Sequence, residues 1–125
     1  FTARSFLPHL LEPADGDRHR SGMTGKIAVI SSIMGSQERA SSNAPIYRAS
    51  KAGATNIART LAVELAPRGV AVGAYHPGWV RTDMGGDAAD VTPADSAAGL
   101  LARIDALDLA TTGIYESYRG EALPF

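Results

Sequence analysis

A chain of 125 residues, 45% hydrophobic and 20% charged, is one domain at most and long enough to bury a core. Its net charge of −1 offers nothing to nucleic acid or an anionic membrane, and the absence of cysteine excludes disulfides, thiolate metal sites and cysteine nucleophiles while fitting a cytoplasmic location. No apolar run approaches the roughly 20 residues that span a bilayer, and no signal peptide is legible at the N-terminus.

Helical and extended patterns alternate along the chain. Residues 1–12 carry Phe1, Phe6, Leu7, Leu10 and Leu11 at helical spacing around Pro8 and read as the end of a helix. Because the sequence opens inside that pattern, a fragment of a longer protein is expected. Residues 12–24 hold Pro13, Gly16, Gly22 and a cluster of charges, the composition of an exposed loop. Residues 25–32 (GKIAVISS) are short, apolar and β-branched at the centre, which predicts a strand buried on both faces. Small polar residues at 33–45 predict a loop. A long helix is expected over 46–66, stopped by Pro67 and Gly69, and a second buried strand over 70–75. Thr92-Pro93-Ala94-Asp95 has the order of a helix start, with a hydroxyl cap, proline at the first position and an acid at the third. That helix should reach about Leu107 with Ala97, Leu101, Ile104 and Leu107 inward, and residues 113–118 should form a last strand. Strands separated by helices imply parallel pairing and an α/β layered fold.

The long helix presents two stripes. Ala54, Ile57, Ala58, Leu61 and Leu65 are expected to pack on the sheet. Ala49, Gly53, Asn56, Thr60 and Val63 form a stripe of small or short residues, which suits either a subunit interface or a neighbouring element of the same chain.

The chemistry begins with Tyr47 and Lys51. Four residues apart on a helix, their Cβ atoms lie roughly 6 Å apart on one face. A cation beside a phenol favours the phenolate, so such a pair can give a proton to a carbonyl oxygen or take one from an alcohol. Ser31-Ser32 ends the apolar run before this helix, and His76-Pro77-Gly78 ends the run after it. His76 reads as structural and His9 and His19 as surface residues. Asp83, Asp87 and Asp90 lack the histidine or the ligand spacing of a metal site, so none is expected.

With Ser32, Tyr47, Lys51 and Pro77-Gly78 in this order, the chain resembles the short-chain dehydrogenase/reductase family over almost its whole length. The strongest segments are IAVISSIMGS (27–36), IYRASKAGATNIARTLAVELAPRGVAV (46–72) and HPGWVRTDMGG (76–86). SSIMGS, HPGWVRTDMGG and the closing GEALPF look most like the carbonyl-reductase-like and C-factor-like branch. The resemblance implies a nicotinamide-dependent oxidoreductase acting on a carbonyl or secondary alcohol. Ser32 would hydrogen-bond the substrate carbonyl, with Ser31 as the alternative. Tyr47 would be the general acid or base and would also contact the cofactor. Lys51 would favour its phenolate and bond the nicotinamide ribose. Pro77 and Gly78 would shape the loop beside the nicotinamide, Val80 would contact the carboxamide through its backbone, and Thr82 would lie near the carboxamide or phosphates. Met34, Trp79 and Met84 would line an apolar, aromatic-tolerant substrate site. The cofactor implied is NADP or NAD, with NADP favoured by the branch, and the partner is a small carbonyl or alcohol. A homodimer or tetramer through the 46–66 helix is a further expectation.

The sequence also departs from the family. A dinucleotide fold carries a glycine-rich turn after its first strand and, about 20 residues later, a residue that reads the ribose. The family's T-G-x-x-x-G-x-G does not occur here, nor do its N-N-A-G segment and tetrad asparagine; Asn43 and Asn56 are not in the matching position. The expected fold is therefore a partial Rossmann-type doubly wound parallel sheet with flanking helices, the first βαβ half missing. Residues 1–125 would be a single domain, the C-terminal catalytic part, without the N-terminal cofactor-binding half. Two other functions fit the scaffold: a non-catalytic or signalling protein of the C-factor-like kind, and a lyase or epimerase using the same tyrosine–lysine pair. The last would need a larger C-terminal substrate region.

Overall fold

The β-branched runs on either side of the long helix pair in parallel and set the frame of the molecule. The computed structural model describes residues 2–11 and 22–125. In order these form helix α1 (Thr2–Leu11), strand β1 (Gly25–Ile30), a 3-10 turn (Ile33–Gly35), helix α2 (Pro45–Leu65), a second 3-10 turn (Ala66–Arg68), strand β2 (Val70–His76), helix α3 (Pro93–Ala106) and strand β3 (Tyr115–Ser117). The sheet runs β1-β2-β3, all parallel, with Gly25 opposite Val70, Ile30 opposite Tyr75, and Tyr75 opposite Glu116. Of the loop expected at 12–24, residues 12–21 lie outside the described residues, as does His19. The loop expected at 33–45 contains the first 3-10 turn.

The period of two along the strands sorts the layers. Val70, Val72 and Ala74 of β2 join Ala58, Ala62 and Leu65 of α2 and Tyr115 of β3 in the buried core, with Leu7, Leu10, Leu11, Ile27 and Val29 packed at its margin. The opposite face carries α3. There the Lys26 ammonium donates to the Ile104 and Asp105 carbonyls at 3.0 and 2.7 Å, a cation on the open carbonyls of a helix C-terminus. Arg103 pairs with buried Glu116 at 3.0 Å. Beside this pair on β2 is Tyr75, fully buried; desolvation first, and then the charge of Glu116, push its phenol up to about 12. Thr92 caps α3 as its sequence foretells, accepting from the Asp95 N–H at 3.1 Å and donating to the Asp95 carboxylate at 2.6 Å.

Three packing expectations need correction. β1 is not buried on both faces: Ala28 and Ile30 are exposed, because β1 is the outer strand and α3 reaches across only as far as Lys26. α3 keeps only part of its expected inward face: Leu107 is buried and Ile104 half-buried as expected. Leu101 is 62% exposed and Ala97 is exposed, while Ser96 is buried and Arg103 half-buried, because the Ser96 hydroxyl bonds the Pro77 carbonyl and Arg103 bonds Glu116. On α2, Ala58 and Leu65 are buried as expected, but Ile57 stays 43% exposed, with Ala54 and Leu61 lining an open groove beside Phe6, Leu10 and Ile27. The second stripe, Ala49, Gly53, Asn56, Thr60 and Val63, is exposed throughout, so among the described residues no element of this chain covers it.

Candidate active site

The carboxyl ends of β1 and β2 and the first two turns of α2 converge. β1 gives way after Ile30 to Ser31 and Ser32, whose extended backbone (φ −155°, ψ 150° at Ser32) leads into the 3-10 turn. That turn lies against α2 at Gly35, where a Cβ would come within 2.8 Å of the Lys51 backbone, so only glycine permits the approach. α2 begins at Pro45, preceded by Ala44 in the left-handed region (φ 49°), a conformation costly for a residue with a Cβ. Pro45 disfavours the α region for Ala44, which makes this corner intelligible after the fact. Arg48 ties the preceding loop down through Asn43 and the Arg39 carbonyl.

On this frame Tyr47 and Lys51 share one face of α2, with the ammonium 5.7 Å from the centre of the phenol ring. The same ammonium donates to the Ile30 carbonyl at 3.2 Å, which fixes it between the strand end and the tyrosine. Tyr47 remains 37% exposed. It lines an open cleft of about 340 Å³ with Met34, Ala44, Gly78, Trp79, Val80, Thr82, Met84 and Gly85. Seven residues singled out from the sequence thus meet in one cleft: Met34, Tyr47, Gly78, Trp79, Val80, Thr82 and Met84. Ser32, Lys51 and Pro77 are not among its lining residues. Ala44 and Gly85 line it without having been expected; the Ala-Pro step was the signal available for the first.

The two serines part company here. The Ser31 hydroxyl is buried and engaged, 2.6 Å from Thr55 Oγ1 and 3.1 Å from the Lys51 carbonyl. Ser32 Oγ accepts from the Met34 N–H at 3.1 Å, and its own proton is left to donate. The Pro77-Gly78 turn is set by packing. Gly78 has φ 84°, a Cβ there would meet Tyr118 and Val91 at about 3 Å, and the Pro77 carbonyl is held by Ser96 at 2.7 Å. Beyond it the segment folds back on itself. Val80 bridges to Val91, Arg81 Nε donates to the Ala89 carbonyl at 2.7 Å, and the Thr82 hydroxyl accepts from the Gly85 N–H at 3.2 Å. Trp79 and Met84, 54% and 86% exposed, present apolar surface along it. His76, half-buried at the end of β2 with Nδ1 unpartnered among the described residues, is held below the usual imidazole range by desolvation, with Glu121 opposing.

A family model described as short chain dehydrogenase matches residues 1–92. The chain belongs to the short-chain dehydrogenase family. It is 36% identical over 107 residues to the C-signal protein of Myxococcus xanthus, covering 85% of this chain and 64% of that protein. Among solved structures it resembles the carbonyl reductase Sniffer of D. melanogaster at a TM-score of 0.90 and 30% identity, covering 98% of this chain and 51% of that one. An NADPH-bound carbonyl reductase from chicken fatty liver follows at 0.85 and 31%, again over 98% and 51%. The chain thus spans about half the length of these structural relatives, and its three parallel strands with flanking helices are a partial Rossmann-like α/β fold. Among the described residues no helix is long and apolar enough to cross a membrane.

Proposed function

We propose that this chain carries the proton-transfer centre of a nicotinamide-dependent carbonyl reductase. The observation that carries the reading is the triple convergence of Tyr47, Lys51 and the Ser32 strand end beside one apolar-walled cleft. In reduction, Tyr47 gives its phenolic proton to the carbonyl oxygen, and in oxidation it takes the proton back. Lys51 stands behind it, its ammonium 5.7 Å from the ring centre. Ser32 donates its hydroxyl hydrogen to the same carbonyl oxygen and orients it.

The residues present fit the nicotinamide end of a dinucleotide. Lys51 would hold the ribose hydroxyls, Pro77-Gly78 would form the wall beside the ring, and Val80 and Thr82 would meet the carboxamide side. When bound, that cofactor supplies the hydride to the carbonyl carbon. No glycine-rich phosphate turn occurs in the sequence, so binding of the remaining dinucleotide falls in this reading to a cofactor half outside these residues, with the present chain a fragment of the enzyme. NADP is favoured over NAD by the likeness to an NADPH-bound carbonyl reductase. Met34, Trp79 and Met84 favour a substrate with an apolar or aromatic flank. The exposed stripe of α2 would pair subunits of a cytoplasmic dimer or tetramer.

The test is consumption of NADPH by the native protein containing these residues, offered aromatic and aliphatic ketones and aldehydes. Turnover faster with NADPH than NADH, and with aromatic than with small polar carbonyls, is expected; no turnover with any of them would overturn the reading. The likeness to C-signal favours a second reading, a signalling role. Biological activity that survives Tyr47→Phe while turnover is lost would select it.

A further inference from the structure

The carboxyl end of β1 is anchored by every element around it. The Ser31 N–H donates to the Tyr75 carbonyl on β2 at 2.8 Å. The Ser31 and Thr55 hydroxyls, 2.6 Å apart, lie 3.1 and 3.0 Å from the Lys51 carbonyl on α2. From β3, the Tyr115 hydroxyl donates to the Ser32 carbonyl, which also accepts from the Gly35 N–H at 2.8 Å. Two donors fill the two lone pairs of that oxygen.

Tyr115 lies 83 residues from Ser32 in sequence and is 2% exposed, with its ring 5.5 Å from that of Phe125. Burial pushes its phenol up, with the Thr55 and Ser31 hydroxyls opposing, so at neutral pH it is a protonated donor. Nothing in the proposed proton transfer uses this buried hydroxyl. What it does is fix the peptide that follows Ser32. The backbone torsions of Ser32 set the direction of its Cα–Cβ bond, and the Met34 N–H on Oγ then selects the rotamer.

We infer that Tyr115 is a positioning residue: through the Ser32 carbonyl it fixes the backbone from which the Ser32 hydroxyl projects, next to Met34 of the cleft wall. The inference rests on the reading of Ser32 as the group that holds the substrate oxygen. Tyr115→Phe removes one oxygen and leaves the ring packing in place, so its effect reports the hydrogen bond.

The experiment has two readouts on the native protein. In turnover, Tyr115→Phe should lower kcat about 10-fold, the scale of one lost hydrogen bond, and leave KM for NADPH unchanged. In a Ser32→Ala background the same substitution should cost nothing further, because Tyr115 acts through Ser32. Losses that multiply in the double variant would overturn the inference. In amide exchange, Met34 and Gly35 should lose protection in Tyr115→Phe while Val72 and Ala74 keep theirs. Unchanged exchange at Met34 and Gly35 would overturn it equally. Quickened exchange in a protein that reduces no carbonyl would support the anchoring of Ser32 and overturn the functional reading it rests on.

Discussion

The two flanks of the sheet are finished differently. On the β3 side every strand residue is buried and bonded: Tyr115 to Ser32, Glu116 to Arg103, Ser117 to the Glu121 and Arg119 backbone. On the β1 side Ala28 and Ile30 are exposed, and an open groove of about 550 Å³ runs past Phe6, Leu10, Ile27 and Ile57. The covered flank braces Ser32 through Tyr115, whereas the open flank exposes apolar side chains and, among the described residues, an unpaired strand edge, surfaces that folded proteins normally cover. The difference separates two tasks. Lys51 and Ser32 find partners within this chain; binding a whole dinucleotide, in the reading proposed here, needs residues outside it.

That contrast can be broken in three ways. The largest effect concerns the cofactor: the isolated 125-residue chain should bind NADPH at least about 1,000-fold more weakly than the native protein, millimolar against micromolar, by calorimetric titration. Micromolar binding to the isolated chain would erase the division of tasks. The next effect is on stability. Leu65→Ala, in the buried core, should cost about 3 kcal/mol in denaturant unfolding, against less than about 1 kcal/mol for Ile57→Ala in the open groove. Equal costs would mean that the groove is packed in solution. The smallest effect is on pH. Burial disfavours the charged form of His76, so the unfolded chain binds that proton more readily, and stability present above pH 6.5 is lost as the pH falls below it. Melting temperature should drop between pH 7.5 and 5.5, and His76→Gln should flatten the drop.

Much of this was legible because it is local. The Tyr47–Lys51 pair, the Thr92 cap and the strand runs each express a short period that backbone geometry alone decodes. The failures are long-range. The inward face of α3 is only half readable from apolar spacing: Ile104 and Leu107 turn in, but Ser96 and Arg103 replace Ala97 and Leu101 because they find partners at Pro77 and Glu116 in other elements. The exposure of Ile30 depends on where the sheet stops, which its own β-branched run does not encode. Ser31 and Ser32 are chemically identical in sequence; only the approach of Thr55 and Lys51 engages the first and leaves the second a proton to donate. Tyr115 carries no local signal at all, since its partner, the Ser32 carbonyl, lies 83 residues away beyond the end of β1.

The central claim is that Tyr47 moves the proton, and one substitution addresses it directly. In the native protein, Tyr47→Phe should leave NADPH binding intact and lower kcat for carbonyl reduction about 1,000-fold, within the range for loss of a general acid. A Tyr47→Phe variant that reduces the carbonyl at the wild-type rate would contradict the account.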